Sequence, residues 1–230
     1  MLRIGVIPAR SGSKRLKGKN SLPFCGMTLV EISVLCALAS RVFDKIIITS
    51  DDFSHKQYEK MSDQVVFHAR SPNLAADETT SVEVLKDICD HYFLQNEDLI
   101  CMLQPTSPLR LPSDIKQSIG ISSVSVCTKS IDNTWLRHSV RETYKKFNVT
   151  YNQDDKTYLG CDQLYFNGSI YWIRMGDLYS HNMLINDKTV LFHMSEFRSI
   201  DIDFKNEFDL AEKRFMKLGI LNLLGVNNYE

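Results

Sequence analysis

The sequence of 230 residues predicts an α/β fold in which a mainly parallel sheet is flanked by helices. Short apolar runs, of the kind that form strands buried on both faces, alternate with stretches that carry helix-start signals. Three of these runs, residues 2–7, 45–50 and 99–103, end directly in polar or charged loops. Strands and helices that alternate at this spacing form a parallel sheet with right-handed crossovers.

The individual elements follow from local signals. Capping boxes mark two helix starts, at Thr28 with Glu31 and at Thr80 with Glu83. The remaining predicted elements, in chain order, are helix 29–39, short helix 53–61, strand 65–68, helix 81–94, a helix from 113, strand 122–127, strands 169–173 and 189–194, and an amphipathic helix 206–221.

The strand and helix pattern stops over residues 128–166. This stretch is polar and aromatic without a long apolar period, and residues 146–158 resemble a hairpin. A connection of this length inside a compact domain is usually functional or an interface. The sequence therefore predicts one domain over residues 1–230, with residues 128–166 inserted in it to pair with a second subunit.

Composition excludes several classes of function. Lys and Arg number 27 against 28 for Asp and Glu, so the net charge of −1 disfavours a nucleic-acid coat or a membrane-surface binder. The six cysteines are scattered without a metal-binding spacing, which predicts reduced core residues and no zinc. No apolar segment approaches the roughly 20 residues of a membrane span. We expect a cytoplasmic protein without a signal peptide.

The loop after the first strand is predicted to bind phosphates. It carries cations among small residues, namely Arg10, Ser11, Gly12, Ser13, Lys14, Arg15, Lys17, Gly18 and Lys19. Such a loop at the carboxyl end of a strand offers charge-assisted hydrogen bonds and turned amides. A solvated basic loop is the alternative. A Walker A loop is disfavoured because Asn20 stands where a Mg²⁺-binding Ser or Thr is required.

A second candidate feature is the pair Asp201 and Asp203, close to the last helix. Residues two apart in an extended segment point to the same side, so the two carboxylates face one point while Ile200 and Ile202 face the core. Two convergent carboxylates opposite a phosphate loop predict Mg²⁺ between them. The alternative is an exposed pair that favours the dipole of the following helix.

Four motifs in this order resemble the CMP-sialic acid synthetases, which are acylneuraminate cytidylyltransferases: IPARSGSKRLKGKN, QPTSPLR, NGSIY and SIDID. The resemblance covers nearly the whole chain and is weakest over residues 128–166. It implies a Rossmann-like nucleotidyltransferase fold and a homodimer made through the inserted segment. It also implies that CTP reacts with a 2-keto-3-deoxy sugar acid to give the CMP-sugar and pyrophosphate.

The resemblance assigns roles to matching positions. The triphosphate would contact Arg10, Ser11, Gly12, Ser13, Lys14, Lys19 and Asn20. Arg70, Thr79 and Ser81 would border the cytidine, Gln104, Ser107, Asn167 and Tyr171 the sugar acid, and Asp201 and Asp203 the Mg²⁺. Arg10, Lys19 and Asp201 would be catalytic. Attack of the sugar hydroxyl on the α-phosphorus needs cations near the departing pyrophosphate and a base, for which Asp201 is the candidate.

Two departures from the family leave the sugar acid open. Tyr165 and Phe166 stand where relatives often carry Arg-Pro, and the region of Thr157 matches an arginine that many use for the sugar carboxylate. A neutral residue cannot supply the same charge-assisted pair. Either Arg137 or Arg174 replaces it, or the sugar acid is a relative of N-acetylneuraminic acid such as legionaminic or pseudaminic acid.

Two rival functions stay open at this point. A KDO cytidylyltransferase typically follows its third strand with an acidic turn, whereas this chain has Gln104-Pro105-Thr106-Ser107. A non-catalytic nucleotide-binding module would be expected to lack the phosphate loop or the carboxylate pair, and this sequence has both.

Overall fold

The structure, a computed structural model, describes residues 1–13, 15–130, 162–186 and 188–226, without the side chains of residues 128–130 and 162–165. In chain order the helices and strands are β1 (Arg3–Pro8), α1 (Leu29–Ser40), β2 (Lys45–Ser50), β3 (Val65–Ala69), α2 (Ser81–His91), β4 (Leu99–Leu103), α3 (Pro112–Gln117), β5 (Ser122–Ser130), β6 (Asp162–Arg174), α4 (Met175–His181), β7 (Val190–His193), α5 (Lys205–Leu218) and α6 (Ile220–Leu223). No helix of the described part is long and apolar enough to cross a bilayer.

The strands form one sheet in the order β3-β2-β1-β4-β6-β5-β7. Strand β6 runs antiparallel to both neighbours, and the other pairs are parallel, so the predicted mainly parallel α/β sheet is confirmed. The chain passes from one side of β1 to the other between β3 and β4. Ligands of open α/β sheets bind at the carboxyl ends of strands beside such a reversal.

The central strands β1, β2 and β4 are buried on both faces, as their continuous apolar runs predict. Alternate residues of β4 enter different clusters: Leu99, Cys101 and Leu103 pack on the side that holds Phe24, and Ile100 and Met102 on the other. This arrangement fixes the carboxyl end of β4 between two cores. Cys25, Cys36, Cys89 and Cys101 are free thiols.

Several bounds differ from the sequence-based expectations. The predicted short helix over residues 53–61 is a 3-10 helix, and α2 ends at His91 because the chain turns at Phe93, whose φ is +51°. The closing helix is divided at Gly219, which has φ +59°. Helix α4 was not predicted because it follows β6 without a polar break.

The predicted insertion is shorter than residues 128–166. Residues 128–130 extend β5 and residues 162–166 extend β6, and the two strands stay paired out to Ser130 and Asp162. Cross-strand pairing thus continues where the apolar pattern has already faded. Residues 131–161, which include the expected hairpin over 146–158, lie outside the described residues.

The capping box of α1 gives a prediction about stability. Thr28 Oγ1 accepts the amide of Glu31 at 3.1 Å and lies 2.7 Å from the hydroxyl of Tyr58. Thr28→Ala should lower the free energy of unfolding by about 1 kcal/mol, or the melting temperature by roughly 2–4 °C. Urea unfolding measures this, with Thr28→Ser, which keeps the hydroxyl, as the control; equal stability of the two variants would contradict the assignment.

Candidate active site

The basic loop that follows β1 is tied to its neighbours at both ends. Asp51, directly after β2, accepts the amide of Ser11 at 2.8 Å and its hydroxyl at 2.5 Å. At the other end, Asn20 Nδ2 donates to the carbonyl oxygen of Arg10 at 3.1 Å. Between these ties Gly12 is exposed, and a Cβ there would meet no atom within 4 Å. The loop therefore presents open backbone at the carboxyl edge of the sheet, where a ligand can approach.

Three cations of this loop face carboxylates. Arg10 Nη1 lies 2.6 Å from Asp77 Oδ1, Lys19 Nζ lies 2.9 Å from Asp203 Oδ1, and Arg15 contacts the other oxygen of Asp203. Lys14 lies outside the described residues. The Arg10–Asp77 pair also brings the loop of residues 70–80 against the basic loop.

The late aspartates and the basic loop meet directly. Lys19 Nζ donates to the carbonyl oxygen of Ile202 at 2.6 Å as well as to Asp203. Ile202 is fully buried, and its amide donates to the carbonyl oxygen of Thr106 at 2.9 Å, which fixes the segment on the turn after β4. Asp201 and Asp203, on either side of Ile202, therefore lie between the basic loop and the turn after β4, and the space between these two segments is called the crevice.

The two aspartates have different environments. Burial of its carboxylate raises the pKa of Asp201, although the residue as a whole is exposed, and the charge of Asp203 raises the pKa further against a hydrogen bond from Thr106 that lowers it. For Asp203, burial also acts to raise the pKa, but hydrogen bonds and charge from Lys19 and Arg15 outweigh it and bring the pKa below its usual value. Asp203 is thus held ionised, whereas Asp201 binds a proton more readily.

The carboxylate pair fits a hard divalent cation that is shared with a ligand. No group of three or more His, Cys, Asp or Glu side chains suited to a metal occurs among the described residues. Mg²⁺ commonly uses one or two carboxylates together with phosphate oxygens and water. Asp201 is the stronger candidate ligand, because both oxygens of Asp203 already contact cations.

The side chains expected around the cytidine lie on the wall next to β2. Arg70 is buried and donates to the carbonyl oxygen of Thr49 at 2.9 Å. Thr79 Oγ1 donates to the carbonyl oxygen of Asn73 at 3.1 Å, and Ser81 is the first residue of α2, with a capping box at Thr80. Arg70 thus bonds to β2, Thr79 bonds within its own loop, and Ser81 directly follows the cap of α2.

Two of the side chains expected around the sugar acid approach Gly168. A Cβ on Gly168 would lie 3.3 Å from Asp201 Oδ2 and 3.5 Å from Gln104 Oε1, so both oxygens point at this glycine. Burial raises the pKa of Tyr171, and the carboxylate of Asp201 contributes to the same shift. Ser107 is buried in the turn, and its Oγ has no hydrogen-bond partner among the described residues. Gln104 and Asp201 therefore converge at Gly168, and Asp201 lies close enough to Tyr171 to affect its pKa.

Asn167 is held by hydrogen bonds within the protein. Its side chain is buried, its Oδ1 accepts the hydroxyl of Ser125 at 2.6 Å, and its Nδ2 donates to Ser199 Oγ at 2.8 Å. These bonds engage the amide at both ends and fix the turn before Gly168, and the expected contact of Asn167 with the sugar acid stays a prediction.

Arg174 cannot replace the missing family arginine. It pairs with Leu99 at the amino end of β4, opposite the crevice, and its Nε donates to Asp177 at 3.0 Å. The other candidate, Arg137, lies outside the described residues, as do Lys14 and Thr157.

Sequence reasoning missed three residues of the site. Asp51 had a usable signal, because it directly follows a buried strand. Asp77 and Thr106 had none, since their roles depend on contacts with Arg10 and Ile202, which are far away in the chain.

The chain is similar to known nucleotidyltransferases over most of its length. A CMP-N,N'-diacetyllegionaminic acid synthase of Legionella pneumophila is 30% identical over 226 residues, which cover 91% of this chain and 94% of that protein. An N-acylneuraminate cytidylyltransferase of Escherichia coli is 27% identical, over 90% of this chain and 51% of its own length. The chain thus spans about half the length of that second relative.

Solved structures agree in fold. CMP:2-keto-3-deoxy-manno-octonic acid synthetase complexed with CTP superposes with a TM-score of 0.62 at 16% identity, over 95% of this chain and 99% of the other. A 4-diphosphocytidyl-2C-methyl-D-erythritol synthase gives 0.62 at 11% identity, over 93% and 99% of the two chains. The cytidylyltransferase family model matches residues 4–220. The chain is a member of the cytidylyltransferase family.

Proposed function

We propose that the protein transfers CMP from CTP to the C2 hydroxyl of a nonulosonic acid and releases pyrophosphate. The observation that carries this proposal is the contact of Lys19 with both Asp203 and the carbonyl oxygen of Ile202, at 2.9 and 2.6 Å. It joins a phosphate-binding loop to a carboxylate pair at one crevice. The names of the similar proteins, which include legionaminic, pseudaminic and N-acylneuraminate enzymes, support this substrate class.

In this mechanism different residues of the crevice bind the triphosphate, accept the proton and orient the sugar acid. Arg10 and Lys19 bind the triphosphate and stabilise the negative charge that grows on the departing pyrophosphate. Asp201, with its raised pKa, accepts the proton of the attacking hydroxyl. Asp201 and Asp203 would hold Mg²⁺, which when bound supplies further neutralisation of phosphate charge. Gln104 and Tyr171 orient the sugar acid beside Asp201.

Pyrophosphate release tests the proposal. CTP, ATP, GTP and UTP are each incubated with Mg²⁺ and with N-acetylneuraminic, legionaminic, pseudaminic or KDO sugar acid. We expect release with CTP and at least one nonulosonic acid. No release with any nonulosonic acid would contradict the proposal, and release with KDO alone would favour the KDO enzyme, whose structure shares the fold. CTP binding by calorimetry without turnover would favour a non-catalytic module.

Two further properties belong to the same proposal. We propose a single domain that forms a homodimer through the segment predicted over residues 128–166. Light scattering tests this, because a variant that lacks residues 131–161 should then be a monomer. A cytoplasmic location stays a prediction, and the free thiols of Cys25, Cys36, Cys89 and Cys101 agree with a reducing compartment.

Gly168 gives a prediction about the sugar pocket. Its φ is +76°, and a Cβ would lie 3.3 Å from Asp201 Oδ2. Gly168→Ala should strain the backbone by about 1 kcal/mol and displace Asp201, with a loss of roughly tenfold or more in kcat. The control Gly120→Ala places its Cβ 3.5 Å from Ser123, an ordinary contact. Steady-state kinetics give the kcat of both variants. An equal kcat for Gly168→Ala and Gly120→Ala would contradict the close packing at Gly168.

A further inference from the structure

Arg110 is a buried cation whose charge has no carboxylate partner among the described residues. It closes the polar turn after β4 and is 1% exposed. Its Nε has no hydrogen-bond partner in the part of the chain that the structure describes. A buried charge without an ionic partner is costly, and an apolar side chain would fill the same volume at lower cost. The reason for an arginine must therefore lie in the groups that it contacts.

Those groups are two backbone carbonyls at the end of a strand pair. Strands β4 and β6 are last paired at Leu103 and Ile170, so Gln104 and Ser169 would form the next pair. Arg110 Nη1 lies 2.8 Å from the carbonyl oxygen of Ser169 and 3.3 Å from that of Gln104. One nitrogen with two hydrogens thus joins the two strands where their own pairing stops. Nη2 donates to Ser33 Oγ of α1 at 3.3 Å, which anchors the guanidinium from behind.

The two joined residues border the proposed sugar pocket. Gln104 extends its Oε1 toward Gly168, which directly precedes Ser169, and Asp201 Oδ2 approaches the same glycine. A change in the separation of the two strands would therefore change the distance between Gln104 and Asp201. The contact of the basic loop with Asp51 lies on the other side of β1 from this bridge, whereas Lys19 of the same loop reaches Ile202, whose amide bonds to Thr106 in the bridged turn.

We propose that Arg110 is a positioning residue that sets the width of the sugar-acid pocket by holding the carbonyls of Gln104 and Ser169 together. This inference rests on the proposed function, since it assigns that pocket to the sugar acid. It makes recognition of the sugar acid more sensitive than CTP binding to a residue that touches neither ligand, because Gln104 is bonded directly to Arg110 and Lys19 is not. A side chain that only filled the core would affect stability without this selectivity.

Kinetics of Arg110→Met and Arg110→Lys test the selectivity. We expect Arg110→Met to lower kcat/KM for the sugar acid by about tenfold to a hundredfold, with the Kd for CTP within about twofold of wild type. Arg110→Lys keeps the charge and a donor, and should lie between Arg110→Met and wild type. Leu178→Ala is the control, because it removes a fully buried side chain at the opposite end of the sheet. It should lower the melting temperature without raising the KM for the sugar acid.

Hydrogen exchange gives a readout that does not depend on turnover. In Arg110→Met the amides of residues 103–107 and 167–171 should exchange faster than in wild type, while those of β1 and β2 should not. Wild-type exchange in both segments, or equal loss of CTP and sugar-acid binding, would overturn the proposal. If Arg110→Met does not fold, Arg110→Lys carries both measurements. If the wild type turns over no nonulosonic acid, the proposed function fails, and exchange still decides the role of Arg110.

Discussion

Replacing Asp201 with Asn is expected to lower kcat by roughly 10²- to 10⁴-fold, which is the range that general-base catalysis contributes. The amide keeps the shape of the side chain and the contact with Gly168, but it cannot accept the proton of the attacking hydroxyl. CTP binding, which we assign mainly to Arg10 and Lys19, should stay within a few fold of wild type. Pre-steady-state turnover with saturating Mg²⁺, together with calorimetry of CTP binding, measures the two effects separately.

The pH dependence gives an independent test of the same role. Because surrounding protein and the charge of Asp203 raise the pKa of Asp201, its basic form is lost at a higher pH than that of an ordinary carboxyl group. Protons and Mg²⁺ compete for this carboxylate, so at limiting Mg²⁺ activity should fall as the pH decreases through this raised pKa, and Asp201→Asn should lack that acid limb.

Asp203→Asn is the matched variant. The carboxylate of Asp203 is held ionised by Lys19 and Arg15, and its charge contributes to the raised pKa of Asp201. In Asp203→Asn the acid limb should therefore persist but move to lower pH, and the rate should be lower. If Asp201→Asn shows near-wild-type turnover, or keeps the acid limb of the wild type, Asp201 is not the base.

Patterns that act over a few residues predicted the framework of the fold. The apolar runs at β2 and β4 gave their bounds correctly, and the Thr28 and Thr80 capping boxes both form, because each depends on neighbours in the chain. The outer ends of β5 and β6 could not be predicted in the same way. Their backbone bonds come from each other and need no apolar side-chain pattern.

The same difference between local and long-range signals applies to the candidate site. The basic loop and the pair Asp201 and Asp203 are visible in the sequence, because charge and spacing mark them. The role of Asn167 is not visible in the sequence. The motif Asn-Gly does not reveal whether the amide faces a ligand or, as here, bonds to Ser125 and Ser199. The partner of Arg10 is also hidden, because Asp77 lies 67 positions away in the chain.

Replacing Lys19 with Met is expected to lower kcat/KM for CTP by roughly 10²- to 10³-fold, as for the loss of one preorganised group that stabilises transition-state charge. The Lys19 side chain is only 14% exposed and its ammonium is fixed by Asp203 and the carbonyl oxygen of Ile202, so it needs little reorganisation when a phosphate arrives. The loss should appear in both kcat and the KM for CTP, because Lys19 would contact the triphosphate before and during transfer. Steady-state kinetics with CTP varied at saturating sugar acid measure it.

Lys17→Met is the matched control, since it removes the same charge two residues earlier from an exposed side chain that forms no ion pair within the described residues. Its kcat/KM should stay within about threefold of wild type, as expected for a screened surface charge. A similar loss in both variants would mean that the loop acts through its overall charge. A loss confined to Lys19→Met, with a melting temperature close to that of wild type, would mean that the position of this ammonium between the phosphate loop and Asp203 is what the reaction requires.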